Sequence, residues 1–128
     1  MAEMSNYLEN ALLNAILRAS TYTSPSDIFV ALYTSNPNDD GSGTEVSGGA
    51  YTRKQATFAA PVGGVATTNA DVAFDQASAT WGTITHIALY DAVTGGNLLF
   101  HTPLDIDKLV ETGDIFTIRT GQLTVTLD

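Results

Sequence analysis

The hydrophobic period of the chain changes once. Residues 7–19, YLENALLNAILRA, place Leu8, Leu12, Leu13, Ile16 and Leu17 on one broad face at helical spacing, with Asn10, Asn14 and Arg18 opposite. Asn6 stands where an N-cap belongs, and Glu9 follows at capping-box spacing. The pattern predicts a helix over 6–19 that ends ahead of TYTSPSD, where Thr and Ser cluster and Pro25 cannot continue it. From residue 28 the period is two. IFVALYT (28–34) is apolar on both faces, as in a strand covered on both sides, and AYTRKQATFA (50–59) reads as a more polar strand. ADVAFD (70–75) sets Val72 and Phe74 on one side, and ITHIALYD (84–91) separates Ile87 and Leu89 from His86, Ala88 and Tyr90. NLLFHT (97–102), DIFTIR (114–119) and QLTVTLD (122–128) complete the set; in the last, Leu123, Val125 and Leu127 alternate with polar residues.

Turn chemistry joins these segments. Thr120-Gly121 leaves the two-residue gap of a hairpin between the last two strands. AVTGG (92–96) is a longer glycine-containing connection, and ETGD (111–114) is another turn. One helix followed by seven short strands predicts a mainly β fold, an antiparallel β-sandwich or jelly-roll-like arrangement with one N-terminal α-helix. Helical and strand patterns do not alternate, so a doubly wound fold is excluded. A chain of 128 residues is expected to form a single domain, with the helix at 6–19 and the sandwich over 28–128. Leu32, Val72, Phe74, Ile87, Leu89, Leu99, Phe116, Ile118, Leu123 and Val125 are the expected core.

The segment NPNDDGSGTEVSGGAYTRK (36–54) breaks the strand rhythm, and it holds four of the 11 glycines and three of the 14 acidic residues. Asn36, Asn38, Asp40 and Gly41 mimic the start of an EF-hand loop, but Ser47 occupies the position of the bidentate glutamate, and a strand pattern precedes the loop. A looser calcium site would have to use Asp39, Asp40 and Glu45. Asn, Asp and Gly residues in this density supply turn geometry, so the segment reads as a long exposed loop. It lacks Gly-Lys-[Ser/Thr], and its acidity repels phosphate.

Other chemistry is sparse. His86 and His101 are the two histidines, and neither has a second histidine at ligand spacing. No serine sits in a Gly-x-Ser-x-Gly elbow, and carboxylate pairs could be drawn from 14 acids almost at will. Trp81 before Gly82 reads as a core residue at a strand entrance rather than a sugar-stacking platform. Catalytic, cofactor-binding and metal-ligating residues are therefore each assigned as none. Five basic residues against 14 acidic ones give a net charge of −9, which disfavours nucleic acid as a partner. No apolar run approaches the roughly 18–20 residues that a membrane helix needs. There are no cysteines, so disulfide and thiolate chemistry is absent.

The stretches LYTSNP, GTEVSGGAY, WGTITHIALYDA and GGNLLF, with the terminal LTVTLD and the helix NYLENALLNAILR, resemble the small virion proteins of tailed bacteriophages that are often labelled tail-fibre proteins. The resemblance runs over almost the whole chain. It implies a non-enzymatic structural protein on the exterior of the phage particle, made in the bacterial host cytoplasm. Other virion proteins, the major capsid protein or tail proteins, are the implied partners. The sequence has no repetitive shaft, so a protein that decorates and cements the capsid is the first expectation. A tail-fibre or tail-adaptor module is the alternative, and a glycan- or receptor-binding lectin-like domain is a further one. A symmetric homo-oligomer is expected, a trimer ahead of a dimer. The expected interface is the helix face Leu8, Leu12, Leu13, Ile16 and Leu17, together with Asp39, Asp40 and Glu45 of the acidic loop. The helix stripe serves either to cover the sandwich within the chain or to dock on a neighbour. The acidic loop needs no calcium on this reading, so melting in EDTA and in millimolar calcium gives the same midpoint. A calcium-dependent rise that Asp40→Ala abolishes is the opposite outcome.

Overall fold

The computed structural model describes residues 2–127. In chain order its elements are β1 (Glu3–Met4), α1 (Asn6–Leu17), β2 (Ile28–Tyr33), β3 (Lys54–Ala56), β4 (Val65–Thr67), β5 (Val72–Ala73), β6 (Gly82–Tyr90), β7 (Leu98–Val110), β8 (Thr117–Ile118) and β9 (Thr124–Thr126). The protein is mainly antiparallel β with one N-terminal helix among the described residues, as the change of period implies. Five strands form the main sheet in the order β1-β7-β6-β2-β3, and two two-stranded ladders, β4–β9 and β5–β8, make up the rest.

Register decides what each face of the main sheet carries. Leu32 stands opposite Ile87 and Val30 opposite Leu89, so four branched side chains meet on one face. The alternate pairs, Ala31 with Ala88 and Tyr33 with His86, turn to the other face. On the first face the core continues into Val72, Phe74, Phe116, Ile118 and Leu123, which come from the two ladders and their flanks. Phe74 meets Phe116 edge to face, and Trp81 meets both Tyr51 and Phe74 in the same way. The second face is a smaller cluster of Ala31, Tyr33, Ala88, Tyr90 and Leu98. Here α1 packs on β7 through buried Leu8, and Gly41 lies against the Tyr90 ring hydroxyl and Leu98. A β2 strand apolar on both faces is thus covered on both, as expected.

Several boundaries differ from the sequence pattern, each for a tertiary reason. The helix is capped by Ser5, not Asn6: Ser5 Oγ accepts the Leu8 N–H at 3.2 Å and donates to the Leu98 carbonyl oxygen. Pairing of β1 with β7 delivers Ser5 there, its N–H reaching the Leu99 carbonyl at 2.9 Å. Glu9 consequently falls one position beyond the capping-box site. The helix ends at Leu17 rather than at residue 19, because Ala19 turns left-handed (φ 56°) and sends the Ser20 N–H back to the Asn14 carbonyl. The polar strand expected over 50–59 shrinks to Lys54–Ala56, while the strand expected over 97–102 extends to Val110 because β6 pairs with it that far. Thr120-Gly121 does form a turn, with the Gln122 N–H on the Arg119 carbonyl, but not a hairpin. Its flanking strands separate, β8 to β5 and β9 to β4.

All ten expected core residues are buried except Val125, which is half-buried against the same cluster. Leu89 is buried in the first-face core, so Leu89→Ala is expected to cost roughly 2–5 kcal/mol by denaturant titration. A cost under about half a kcal/mol would place Leu89 outside the core.

Candidate functional site

The glycine- and acid-rich segment is largely self-organised rather than simply exposed. Thr34 donates its N–H to the Thr44 carbonyl and Val46 to that of Leu32, so the chain leaves β2 and returns beside it. Between them the side chains serve the backbone: Asn36 Oδ1 accepts the Asn38 N–H at 2.8 Å, Asp40 Oδ1 the Ser42 N–H at 3.0 Å, and Ser35 Oγ the Thr44 N–H at 2.8 Å. Hydrogen bonding by the Ser42 side chain, and then by its backbone N–H, lowers the Asp40 pKa. Pro37 is fully buried beneath the loop. Gly43 is required by close approach, since a Cβ there would stand 2.4 Å from the Asn36 carbonyl oxygen.

The three acidic residues of this segment do not converge. Asp40 caps its own turn. Glu45 pairs in bidentate fashion with Arg53, Nε to Oε2 at 2.8 Å and Nη2 to Oε1 at 2.9 Å. The same guanidinium donates Nη1 to the carbonyls of Ala92 (3.0 Å) and Gly95 (2.8 Å) and lies 3.7 Å over the Tyr90 ring. Tyr51 donates its hydroxyl to Glu45 Oε2 at 2.6 Å and accepts the Leu32 N–H at 3.0 Å. Burial opposes the Arg53 charge, but Glu45 more than offsets this, and the arginine pKa is raised. Burial, then the hydrogen bond to Glu45, raises that of Tyr51; burial, then the bond to the Tyr90 hydroxyl, raises that of Tyr33.

Asp39 takes a third direction. Its carbonyl accepts the Asn6 N–H at the start of α1, and its Oδ1 lies 2.8 Å from His101 Nε2. Glu3, the cross-strand partner of His101, brings Oε2 to 3.7 Å from the same nitrogen. Sequence spacing showed no partner for this histidine, and the structure supplies two carboxylates, from β1 and from the loop. Glu3, Asp39 and His101 form the set of metal-capable donors found among the described residues, all within 4.8 Å of one another. His86 differs: its Nδ1 meets Thr85 Oγ1 at 2.8 Å, and burial, then nearby His101, lowers its pKa.

A protein-family model described as Podophage GP4 fiber I protein gp80 matches residues 3–126. The chain belongs to that family. No curated protein matches it. The phage resemblance read from LYTSNP, WGTITHIALYDA and the other stretches is therefore confirmed at the level of a fibre-related virion family.

In this fibre-family chain the expected helix face is divided. Leu8 is buried and Leu12 half-buried, while Leu13, Ile16 and Leu17 are 55%, 74% and 73% exposed. The stripe is broader than β7 can cover, so both uses weighed for it have residues to serve them. A second surface is a cleft of about 1060 Å³ between β7 and residues 114–126, with exposed Ile106, Leu109 and Ile115 on its walls. The outer edge of β7 pairs with β1 at Phe100 and His101, and the length beyond carries Pro103, Asp105, Asp107 and Lys108, residues that discourage strand addition. Trp81 is 7% exposed with its indole N–H on the Gly49 carbonyl at 2.8 Å, so it presents no stacking face. No helix among the described residues is long and apolar enough to cross a membrane.

Glu45→Gln removes the charge that holds Arg53, and a destabilisation of roughly 2–4 kcal/mol is expected, reduced from a fully buried pair by the partial exposure of Glu45. Chemical denaturation measures it. A loss near zero would mean that the Ala92 and Gly95 carbonyls and the Tyr90 ring hold the guanidinium by themselves.

Proposed function

We propose that the protein is a non-enzymatic, exterior component of a tailed-phage fibre that docks on other virion proteins through the outer half of α1. The observation that carries this reading is the exposed stripe of Leu13, Ile16 and Leu17 in a chain of a fibre family. Three large apolar side chains on an otherwise polar helix surface have the form of a helix that is laid into an apolar groove. The net charge of −9 on the chain suits a basic partner surface. The chain acts as one domain and self-associates with closed symmetry, a trimer ahead of a dimer. Nucleic acid and membrane are not partners in this reading.

The family description supports the fibre ahead of capsid decoration, which the compact, repeat-free sequence had favoured. Antibody labelling of particles separates the two: label on the fibres supports the proposal, and label on the capsid faces replaces it with decoration. A lectin-like role has no comparable support, since Trp81 lies within the core.

Docking is tested by the triple change Leu13→Gln, Ile16→Gln, Leu17→Gln. Gln is a good helix former and exposed substitutions typically shift stability by about half a kcal/mol or less each, so the melting midpoint is expected to fall little. Light scattering is expected to show loss of self-association, or the variant is expected to stay off particles. A triple variant that assembles and joins particles normally removes α1 from the interface.

A further inference from the structure

We propose that Glu3, Asp39 and His101 form a binding site for a divalent transition-metal ion of the zinc class, which fastens the N-terminal strand and the acidic loop to β7. Each donor is held by a different element. His101 projects from near the start of β7 and is 3% exposed. Glu3 is fixed opposite it by the β1–β7 register, and Met4 pairs with Phe100 next to it. Asp39 is held by its own backbone, whose carbonyl takes the Asn6 N–H at 3.0 Å.

The three donor atoms lie within 4.8 Å of one another. His101 Nε2 stands 2.8 Å from Asp39 Oδ1 and 3.7 Å from Glu3 Oε2. Ligands about 2.0–2.1 Å from a tetrahedral zinc lie roughly 3.3 Å apart, a value that these two separations bracket. Along these two separations accommodation needs shifts of about half an ångström, and the two carboxylate oxygens already lie within 4.8 Å of each other. The shifts fall on the carboxylates, whose side chains are 69% and 44% exposed, while the buried imidazole stays in place. A single hydrogen bond would satisfy Nε2, and Asp39 provides it; the second carboxylate is what a cation explains and a lone histidine does not. Two carboxylates facing one imidazole leave an excess of negative charge whether or not the ring is protonated, and the net charge of −9 favours a cation further. One nitrogen and two oxygens match zinc-class ions rather than calcium, which takes 6–8 oxygen ligands. Water completes the coordination.

The acidic loop of the sequence pattern thus contributes to a metal site through Asp39 alone, with Asp40 and Glu45 engaged elsewhere. Metal binding deprotonates Nε2 and ties residue 3 to residues 39 and 101, contacts that span most of the chain. The ion acts as a clamp on the segment that leads into α1.

The test uses chelator-treated full-length protein. Calorimetric titration with Zn²⁺ is expected to show one site per chain, Co²⁺ to develop visible absorption, and Zn²⁺ to raise the melting midpoint where Ca²⁺ does not. Glu3→Gln, at an exposed position, is expected to keep the fold and weaken binding, and His101→Gln to abolish it. Asp39→Asn replaces His101→Gln if the latter fails to fold. Absence of a binding isotherm, equal stabilisation by Ca²⁺, or unchanged Zn²⁺ affinity in Glu3→Gln together with the second variant overturns the proposal.

Discussion

The guanidinium of Arg53 is the point on which the second face of the sheet depends. Its side chain is 8% exposed, and four of its N–H groups reach acceptors: both oxygens of Glu45 and the carbonyls of Ala92 and Gly95. Removing a cation from water is costly, so such a charge persists only when it is paired and most of its donors are matched. Matching them joins the return of the acidic loop, the β6–β7 connection and the chain entering β3. The face of Tyr90 closes the remaining side, and Tyr51 links Glu45 to the β2 backbone. The bidentate fork is why lysine would not serve here.

That arrangement explains why a loop so rich in glycine and acid is ordered. Its two ends are hydrogen-bonded beside β2, Glu45 is clamped, and Asp39 is drawn across the sheet to His101. Residues between them satisfy their own backbone through Asn36, Asp40 and Ser35. The charges therefore hold the fold together before they meet any partner. What the charges leave exposed is the apolar outer stripe of α1 and, beside β7, a cleft of mixed polarity in which Ile106, Leu109 and Ile115 alternate with charged and hydroxyl side chains.

The two surfaces differ in character. Beside the cleft, proline and charges along the outer edge of β7 oppose uncontrolled strand pairing, the usual hazard of an open edge. The α1 stripe has no proline, and its exposed residues Leu13, Ile16 and Leu17 adjoin one another at i+3 and i+4, with Glu9 and Asn10 bordering only the Leu13 end. A fibre-family virion protein associates with other virion proteins, and the proline and charges on the edge of β7 oppose uncontrolled edge-to-edge pairing in that setting.

Local pattern determined a good part of this protein. The helix and the main strands followed from period, because side-chain alternation reports burial directly where a strand or helix has a wet face. Ile87, Leu89, Phe74 and Leu123 were recognisable as core for that reason, and the stretches that carry the phage resemblance were readable as they stood. Tertiary structure decided what depends on distant partners. Ser5 displaced Asn6 as the cap because β7 holds it, β7 outran its apolar run because β6 pairs along it, and the last two strands parted because each found another neighbour. Glu45 and Asp39, read together as one acidic loop, went to opposite partners. His101 is 62 residues from Asp39 in sequence, and no spacing rule reaches that far; only the folded sheet brings that imidazole between two carboxylates.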